Sequence, residues 1–241
     1  MLRAGPRLET ASAAYTRGAM DAALLVKLAL GVAVILSGVL VVVARRAASL
    51  QRVRAQAIAA LCAQRGFLPG AEFGDFETFA YFGSNSVSNS FFSADHRAAV
   101  ADFIRSPGKD QLYFSILAFT VAGLNVPYLA VTRRHQGAPT IGGPPNVELE
   151  SIEFDQRFAV RTNDRRSAVM LLDPGVMQLL LDCEPVGFYM AGDKALAFVN
   201  RTAELLHPTA EPIAFEVLFR FWDGFVARVP ALVRTEYAAP P

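Results

Sequence analysis

A chain of 241 residues accommodates one ordinary domain of about 100–200 residues together with a membrane segment. Lys plus Arg (23) nearly balance Asp plus Glu (22), and 53% of the residues are hydrophobic. The near-zero net charge argues against nucleic acid as a partner, because nucleic-acid-binding domains carry a marked basic excess. Cys62 and Cys183 show neither zinc-ligand nor disulfide-framework spacing, and both are expected to be buried free thiols.

Residues 22–44 form a long apolar run that predicts a transmembrane helix. The run covers the ~30 Å hydrocarbon core, and its one charged residue, Lys27, can reach the headgroups by snorkelling. A cleaved signal peptide is the alternative, but its apolar core is about 7–15 residues long and lacks a following pair such as Arg45-Arg46. The sequence therefore predicts a single-pass cell-membrane protein that contacts lipid through residues 22–44, preceded by a disordered leader over residues 1–21.

The arginines on the two sides of this run predict its orientation. Four follow the run and three precede it, namely Arg45, Arg46, Arg52 and Arg54 against Arg3, Arg7 and Arg17. The positive-inside rule places the richer side, and with it the soluble domain, in the cytoplasm. Translation from Met20 instead of Met1 would remove all three upstream arginines and widen the margin. An extracytoplasmic domain remains the alternative.

A helical extension over residues 45–65 is expected to follow the span and to end near Gln64, before Gly66. Its arginines from Arg45 to Arg54 are expected to lie near anionic headgroups. Within the span, small residues recur at four-residue spacing (Ala29, Ala33 and Ser37) and leave a homodimer open as an alternative to a monomer.

Alternating apolar residues predict strands in the first part of a soluble domain over residues 66–229. GSNSVSNSFFS at 83–93 is predicted to be a polar loop or an irregular strand edge. AAVADFIRS at 98–106 and QLYFSILAFTVA at 111–122 predict a hairpin, and PYLAVTRR at 127–134 predicts a third strand. VGFYMAGDKALAFVN predicts a second hairpin that turns at Gly192-Asp193.

Between these hairpins, VELESIEFDQRFAVRT at 147–162 predicts a strand with Phe154, Phe158 and Val160 on one face. Asp164 is expected to cap a short helix, and Asp173, which precedes Pro174, to cap a second one.

Near the C-terminus, EPIAFEVLFRFWDGFVARV at 211–229 predicts an amphipathic helix followed by a tail over residues 230–241. The residues expected on its buried stripe are Ile213, Val217, Leu218, Phe221 and Phe225, and Phe219, Trp222 and Val226 are expected to widen it.

Three features carry reactive side chains, and none has the spacing of a known site. The serines of residues 83–93 lack a nucleophile elbow. The acidic residues between 148 and 155 are expected to form a solvated strand face, and the isolated histidines to lie on surface loops: Glu148, Glu150, Glu153 and Asp155, with His96, His135 and His207. No catalytic residue, metal ligand or cofactor is assigned.

The segment ESIEFDQRFAVRTNDRRSAVMLLDPGVMQLLLD, from Glu150 to Asp182, and the GFYMAGDKALAF that follows resemble a family of bacterial membrane-associated proteins of unknown function. The residues that carry this resemblance are Glu153, Phe154, Phe158, Val160, Asp164, Ala168, Leu171, Leu172, Pro174, Met177, Leu179 and Leu180. The resemblance implies an architecture and no activity.

These patterns predict an α+β fold: an N-terminal transmembrane helix followed by an antiparallel sheet of five to seven strands with packing helices. The expected function is a non-enzymatic domain that binds a partner protein, a lipid surface or a small ligand at the cytoplasmic membrane surface. A membrane-tethered hydrolase, using the serine-rich segment or the acidic strand with a histidine, is the alternative.

Overall fold

A computed structural model describes residues 9–70, 86–105, 112–134, 144–184, 186–201 and 211–239. The chain divides into two compact units, Met1–Leu50 and Gln51–Pro241. The predicted α+β fold, with a long apolar helix followed by an antiparallel sheet and packing helices, is confirmed.

Helix α1 runs from Glu9 to Gln64, and its C-terminal end is the one that the sequence predicts. Gly66 follows in the left-handed conformation, with φ of +75°, which glycine adopts without strain. The helix begins at Glu9, within the segment 1–21 that is expected to be the leader. That stretch is rich in alanine, which has the highest helix propensity, and it continues the helix instead of ending it.

One helix in the described part of the chain is long and apolar enough to cross a membrane, and it is α1. Its residues 26–46 are all exposed, as the hydrocarbon-facing surface of a span would be. By length and composition, α1 is therefore a candidate membrane span.

In its described residues, the Gln51–Pro241 unit contains one sheet of nine antiparallel strands in the order β1-β2-β3-β4-β9-β8-β5-β7-β6. The strands are β1 Phe67–Pro69, β2 Ser86–Ser93, β3 Ala98–Arg105, β4 Leu112–Thr120, β5 Val126–Arg133, β6 Asn146–Val147, β7 Phe158–Thr162, β8 Val186–Gly192 and β9 Lys194–Asn200. Nine strands exceed the expected five to seven, partly because β1 and β6 have only three and two residues and are too short to show an alternating pattern.

Both predicted hairpins are confirmed. Strands β3 and β4 pair along their whole length, and β8 and β9 pair up to Ala191 and Lys194, so Gly192-Asp193 forms the two-residue turn. Gly192 has φ of +64°, as such turns require. Strand β2 is irregular, as expected, because its register with β3 shifts between Ser88 and Phe91.

Five further helices lie in the described part of this unit. They are α2 Ile152–Arg157, α3 Arg165–Leu171, α4 Pro174–Asp182, α5 Ile213–Arg228 and α6 Ala231–Glu236. Both predicted caps are confirmed, since Asp164 accepts a hydrogen bond from the Arg166 N–H and Asp173 accepts one from the Val176 N–H.

The prediction of a continuous strand over residues 147–162 is wrong. Ser151 accepts a hydrogen bond from the Phe154 N–H and starts helix α2, and strand β7 begins only at Phe158. Phe154 and Phe158 nevertheless share a side, with ring centroids 4.7 Å apart. A separation of four residues fits both a helical and a strand period, so the apolar spacing alone could not distinguish the two.

The C-terminal predictions need two corrections. Ile213 is 47% exposed, and α5 also buries Ala214 and Phe215 beside the predicted Leu218, Phe219, Phe221 and Phe225. The segment after residue 230 is not a simple tail. It forms α6 and returns to the sheet end, where the Asn125 N–H donates to the Tyr237 carbonyl.

The main core lies between one face of the sheet and the helices, and it includes residues of all six helices. A second apolar cluster consists, in the described residues, of strand side chains alone, among them Phe103, Phe114, Tyr189 and Phe198. Alternate residues of a strand point to opposite faces. Val100 belongs to the helix-covered core and Phe103 to the second cluster, so Asp102, between them, lies on the helix side.

Candidate functional site

The buried face of α1 carries a charge in an otherwise apolar stripe. Arg54, Ile58 and Cys62 are four residues apart and therefore lie on one side of the helix. They are 2%, 0% and 0% exposed. Ile58 and Cys62 belong to the core that covers the sheet, so the same stripe brings Arg54 against the strands.

Asp102 of β3 forms an ion pair with Arg54 and lies at the centre of a buried ionic cluster. Arg54 donates from Nη1 to Asp102 Oδ2 and from Nη2 to Oδ1 at 3.3 Å. Arg201, which directly follows β9, donates from Nη1 to the same Oδ1. Asn89 Nδ2 donates to Oδ2 at 2.8 Å, and Ser115 Oγ donates to Oδ1 at 2.7 Å.

The sheet register explains how these residues meet. Ser115 lies opposite Asp102 in the β3–β4 pair, and Asn89 lies at the irregular point of β2 with a positive φ of 49°. Asparagine tolerates this conformation better than most residues. The irregularity of the serine-rich strand thus places an amide donor on Asp102.

Asp102 stays ionised in this setting. Burial opposes its charge most strongly, but the Arg54 hydrogen bond and the charges of Arg201 and Arg54 outweigh burial and hold the pKa of Asp102 below its ordinary value. The Arg54 guanidinium also lies 5.9 Å from the ring centroid of Phe215 on α5. Its Nε is the one buried side-chain polar atom without a hydrogen-bond partner among the described residues.

The arrangement favours a structural role for the cluster over a chemical one. Asp102 is 5% exposed, and both of its oxygens already accept charge-assisted hydrogen bonds, so the carboxylate is poorly placed to take a proton from a substrate. The cluster instead joins α1 to β2, β3 and the end of β9 by strong interactions. These interactions stabilise the packing of the C-terminal part of α1 on the sheet.

The burial of Arg54 corrects the expectation that it lies near lipid headgroups. The other arginines of that group, Arg45, Arg46 and Arg52, are exposed. Two signals in the sequence pointed to the difference, namely the four-residue spacing from Arg54 to Ile58 and an aspartate inside the apolar strand AAVADFIR. The sequence alone does not show that Arg54 and Asp102, which are 48 positions apart, form an ion pair.

The predicted reactive features do not come together in the described residues. Ser93 Oγ donates a hydrogen bond to Asp95 and accepts one from the Ala98 N–H, so this hydroxyl forms its hydrogen bonds within its own turn. The exposed His96 ring stacks on Phe92 at 5.0 Å. His135 and His207 lie outside the described residues.

Three of the four acidic residues near 150 are solvated, as expected, although on a loop and a helix instead of a strand. The fourth, Asp155, is half-buried and accepts a hydrogen bond from the Leu149 N–H. Glu148, Glu150 and Glu153 are exposed, and Glu153 pairs with Arg157 at 3.1 Å. The described part of the chain contains no group of three or more His, Cys, Asp or Glu side chains that could hold a metal ion. Cys62 and Cys183 are buried free thiols, as predicted.

The fold and the cluster together define a class of architecture: an N-terminal apolar helix whose C-terminal part is packed on an antiparallel α+β domain. No family profile matches the sequence, and no curated protein matches it. Among solved structures, the chain is similar to the crystal structure of the mycobacterial trehalose monomycolate transport factor A, TtfA. The TM-score is 0.50 at 12% identity, over 79% of this chain and 99% of the other, so the likeness concerns the fold alone.

Proposed function

We propose that this protein is a membrane-anchored, non-enzymatic binding domain that presents its α+β unit to an integral membrane protein at the cytoplasmic face. The observation that carries the proposal is that α1 supplies both the candidate membrane span and part of the domain core. Residues 26–46 are exposed and largely apolar, whereas Arg54, Ile58 and Cys62 on the same helix are buried.

The way in which α1 ends supports a tether that belongs to the domain. A separable anchor is usually joined by a polar, Gly- or Pro-rich linker, whereas α1 continues without interruption from Val26 to Gln64. Arg54 then pairs the C-terminal part of this helix with Asp102 of β3, the carboxylate that Arg201 also binds. The C-terminal part of α1 is therefore part of the domain itself, which supports a binding domain that stays at the membrane.

Two further observations favour the details of the proposal. The similar fold of TtfA belongs to a protein described as a transport factor, which favours an accessory role in a membrane process over hydrolysis. The pair Arg45-Arg46 directly follows the apolar run, and such a flank favours a cytoplasmic domain. The earlier alternative of a hydrolase has no comparable observation in its favour.

Crosslinking in cells tests the binding role. A photoreactive residue at exposed Glu150 in the full chain is expected to crosslink to an integral membrane protein, and the same residue in a chain that begins at Arg45 is expected to lose that product. Crosslinks to water-soluble proteins alone, or equal products from both chains, would contradict the proposal.

Cysteine labelling tests the sidedness. Cys62 is 0% exposed and cannot serve as the probe, so Glu150→Cys is used in a background with both native cysteines replaced by alanine. An impermeant maleimide should label this cysteine only after the cells are opened, whereas Arg7→Cys, before the span, should be labelled in intact cells. The reverse pattern would place the domain outside.

A further inference from the structure

The arginines that follow the apolar run divide into two groups by their surroundings. Arg54 and Arg65 each have an acidic partner, Asp102 and Asp223 respectively, the second at 2.8 Å. Arg45, Arg46 and Arg52 are exposed, and the part of the chain that the structure describes offers none of them an ion pair. Of these three arginines, Arg45 and Arg46 lie directly at the end of the apolar run.

The composition of α1 removes the usual source of such a partner within the helix. No Asp or Glu occurs between Asp21 and Glu72, so an acidic residue three or four positions away cannot neutralise either arginine. A partner must therefore carry the negative charge itself. It must also lie where the apolar residues end, since Arg45 comes directly after Ala44.

We infer that Arg45 and Arg46 form a binding site for the phosphate of anionic phospholipid headgroups. An arginine fork matches phosphate oxygens bidentately, and headgroup phosphates lie at the boundary of the hydrocarbon layer that an apolar helix crosses. Each basic residue near an anionic surface raises affinity about fivefold. Two arginines therefore give a preference of about 25-fold for anionic over zwitterionic lipid.

The inference rests on the proposed membrane anchoring of α1 and adds the lipid class that the anchor selects. The test uses the full chain purified in a mild detergent and titrated with phosphatidylglycerol or phosphatidylcholine of identical acyl chains, with bound lipid counted by native mass spectrometry. The wild-type chain should bind phosphatidylglycerol at least tenfold more tightly. One molar salt should abolish most of that preference, because exposed charges are screened.

Paired variants assign the effect to the two arginines. Arg45→Gln/Arg46→Gln should bind both lipids equally, while Arg97→Gln/Arg165→Gln, which removes two exposed arginines elsewhere, should keep the wild-type preference. Glutamine is a good helix former, and equal thermal unfolding of the two variants verifies the fold. Equal loss in both variants, or no preference in the wild-type chain, overturns the inference.

Two outcomes separate this site from its alternatives. Displacement of the bound lipid by millimolar glycerol phosphate would identify a soluble anion as the occupant and would also overturn the inference. If the full chain remains in the membrane but shows no lipid preference, the lipid site fails while the proposed anchoring stands. If it does not reach the membrane at all, both fail.

Discussion

Replacing Asp102 by asparagine should destabilise the protein more than Asp223→Asn or Tyr237→Phe does. Asparagine keeps the size of the side chain but removes the charge that two arginines share. Its amide also places N–H donors where one carboxylate oxygen accepted bonds from Arg54 or Arg201. Both guanidiniums, which are at most 9% exposed, would then lose their counter-charge.

The expected cost is about 3–5 kcal/mol, the range found when one partner of a buried ion pair is removed. Since domains are stable by about 5–15 kcal/mol, this is a large share of the total. For a chain of this size it corresponds to a decrease of about 6–20 °C in Tm. The matched control is Asp223→Asn, which breaks the exposed Arg65 pair and should cost below about 1 kcal/mol.

Denaturant unfolding of the full chain in detergent, followed by fluorescence, measures both changes. The chain has one tryptophan, Trp222, which packs edge-on against Phe67 in the core at 5.9 Å and therefore reports unfolding of this unit. A loss of unfolding free energy below about 1 kcal/mol for Asp102→Asn, or equal losses for the two variants, would refute the claim that the cluster stabilises the packing of α1 on the sheet.

The same cluster predicts a pH dependence. Because the pKa of Asp102 is lower in the folded state than its ordinary value of about 3.9, its stabilisation is complete above that value. It is lost as the pH falls through the folded-state pKa. The difference between wild type and Asp102→Asn should therefore be constant near neutral pH and should narrow in acid. A difference that stays constant down to pH 2 would contradict this sign.

Three further experiments test other parts of the structure. Tyr237→Phe removes a hydroxyl that donates to Asp164 at 2.7 Å and should lower the free energy of unfolding by about 1 kcal/mol, whereas an unchanged value would show that the C-terminal segment contributes nothing there. Cys62 and Cys183 are both 0% exposed, and burial raises the pKa of the Cys183 thiol. A thiol reagent should therefore modify neither cysteine in the native protein and both in denaturant, and rapid modification of either in the native protein would contradict the packing. Gly192→Ala forces a side chain into φ of +64° and should cost about 1–2 kcal/mol in unfolding experiments, and a stabilised variant would show that the turn is built differently.

The features that sequence predicted well depend on local chemistry. Asp164 and Asp173 cap the helices that directly follow them, and Gly192-Asp193 forms a two-residue turn between two alternating runs. Each of these depends on residues only a few positions apart, so the pattern contains the whole cause.

The features that sequence missed depend on distant contacts. Arg54 and Arg201 meet Asp102 from 48 and 99 positions away. The four-residue spacing from Arg54 to Ile58 places both on one side of α1, but it does not show which strand that side faces. The C-terminal segment folds because Asn125 and Asp164 hold Tyr237, and these partners are also remote in sequence. Phe154 was misassigned because its spacing from Phe158 suits both helix and strand.

Membrane extraction of the full chain tests the central claim, that α1 joins a membrane anchor to the domain core. Membranes that contain the chain are washed with alkaline carbonate, and a chain that begins at Arg45 is followed in parallel. The full chain should remain in the pellet, and the shortened chain should be found in the soluble fraction with native Trp222 fluorescence. Release of the full chain by carbonate, or a shortened chain that stays in the pellet, would contradict the claim.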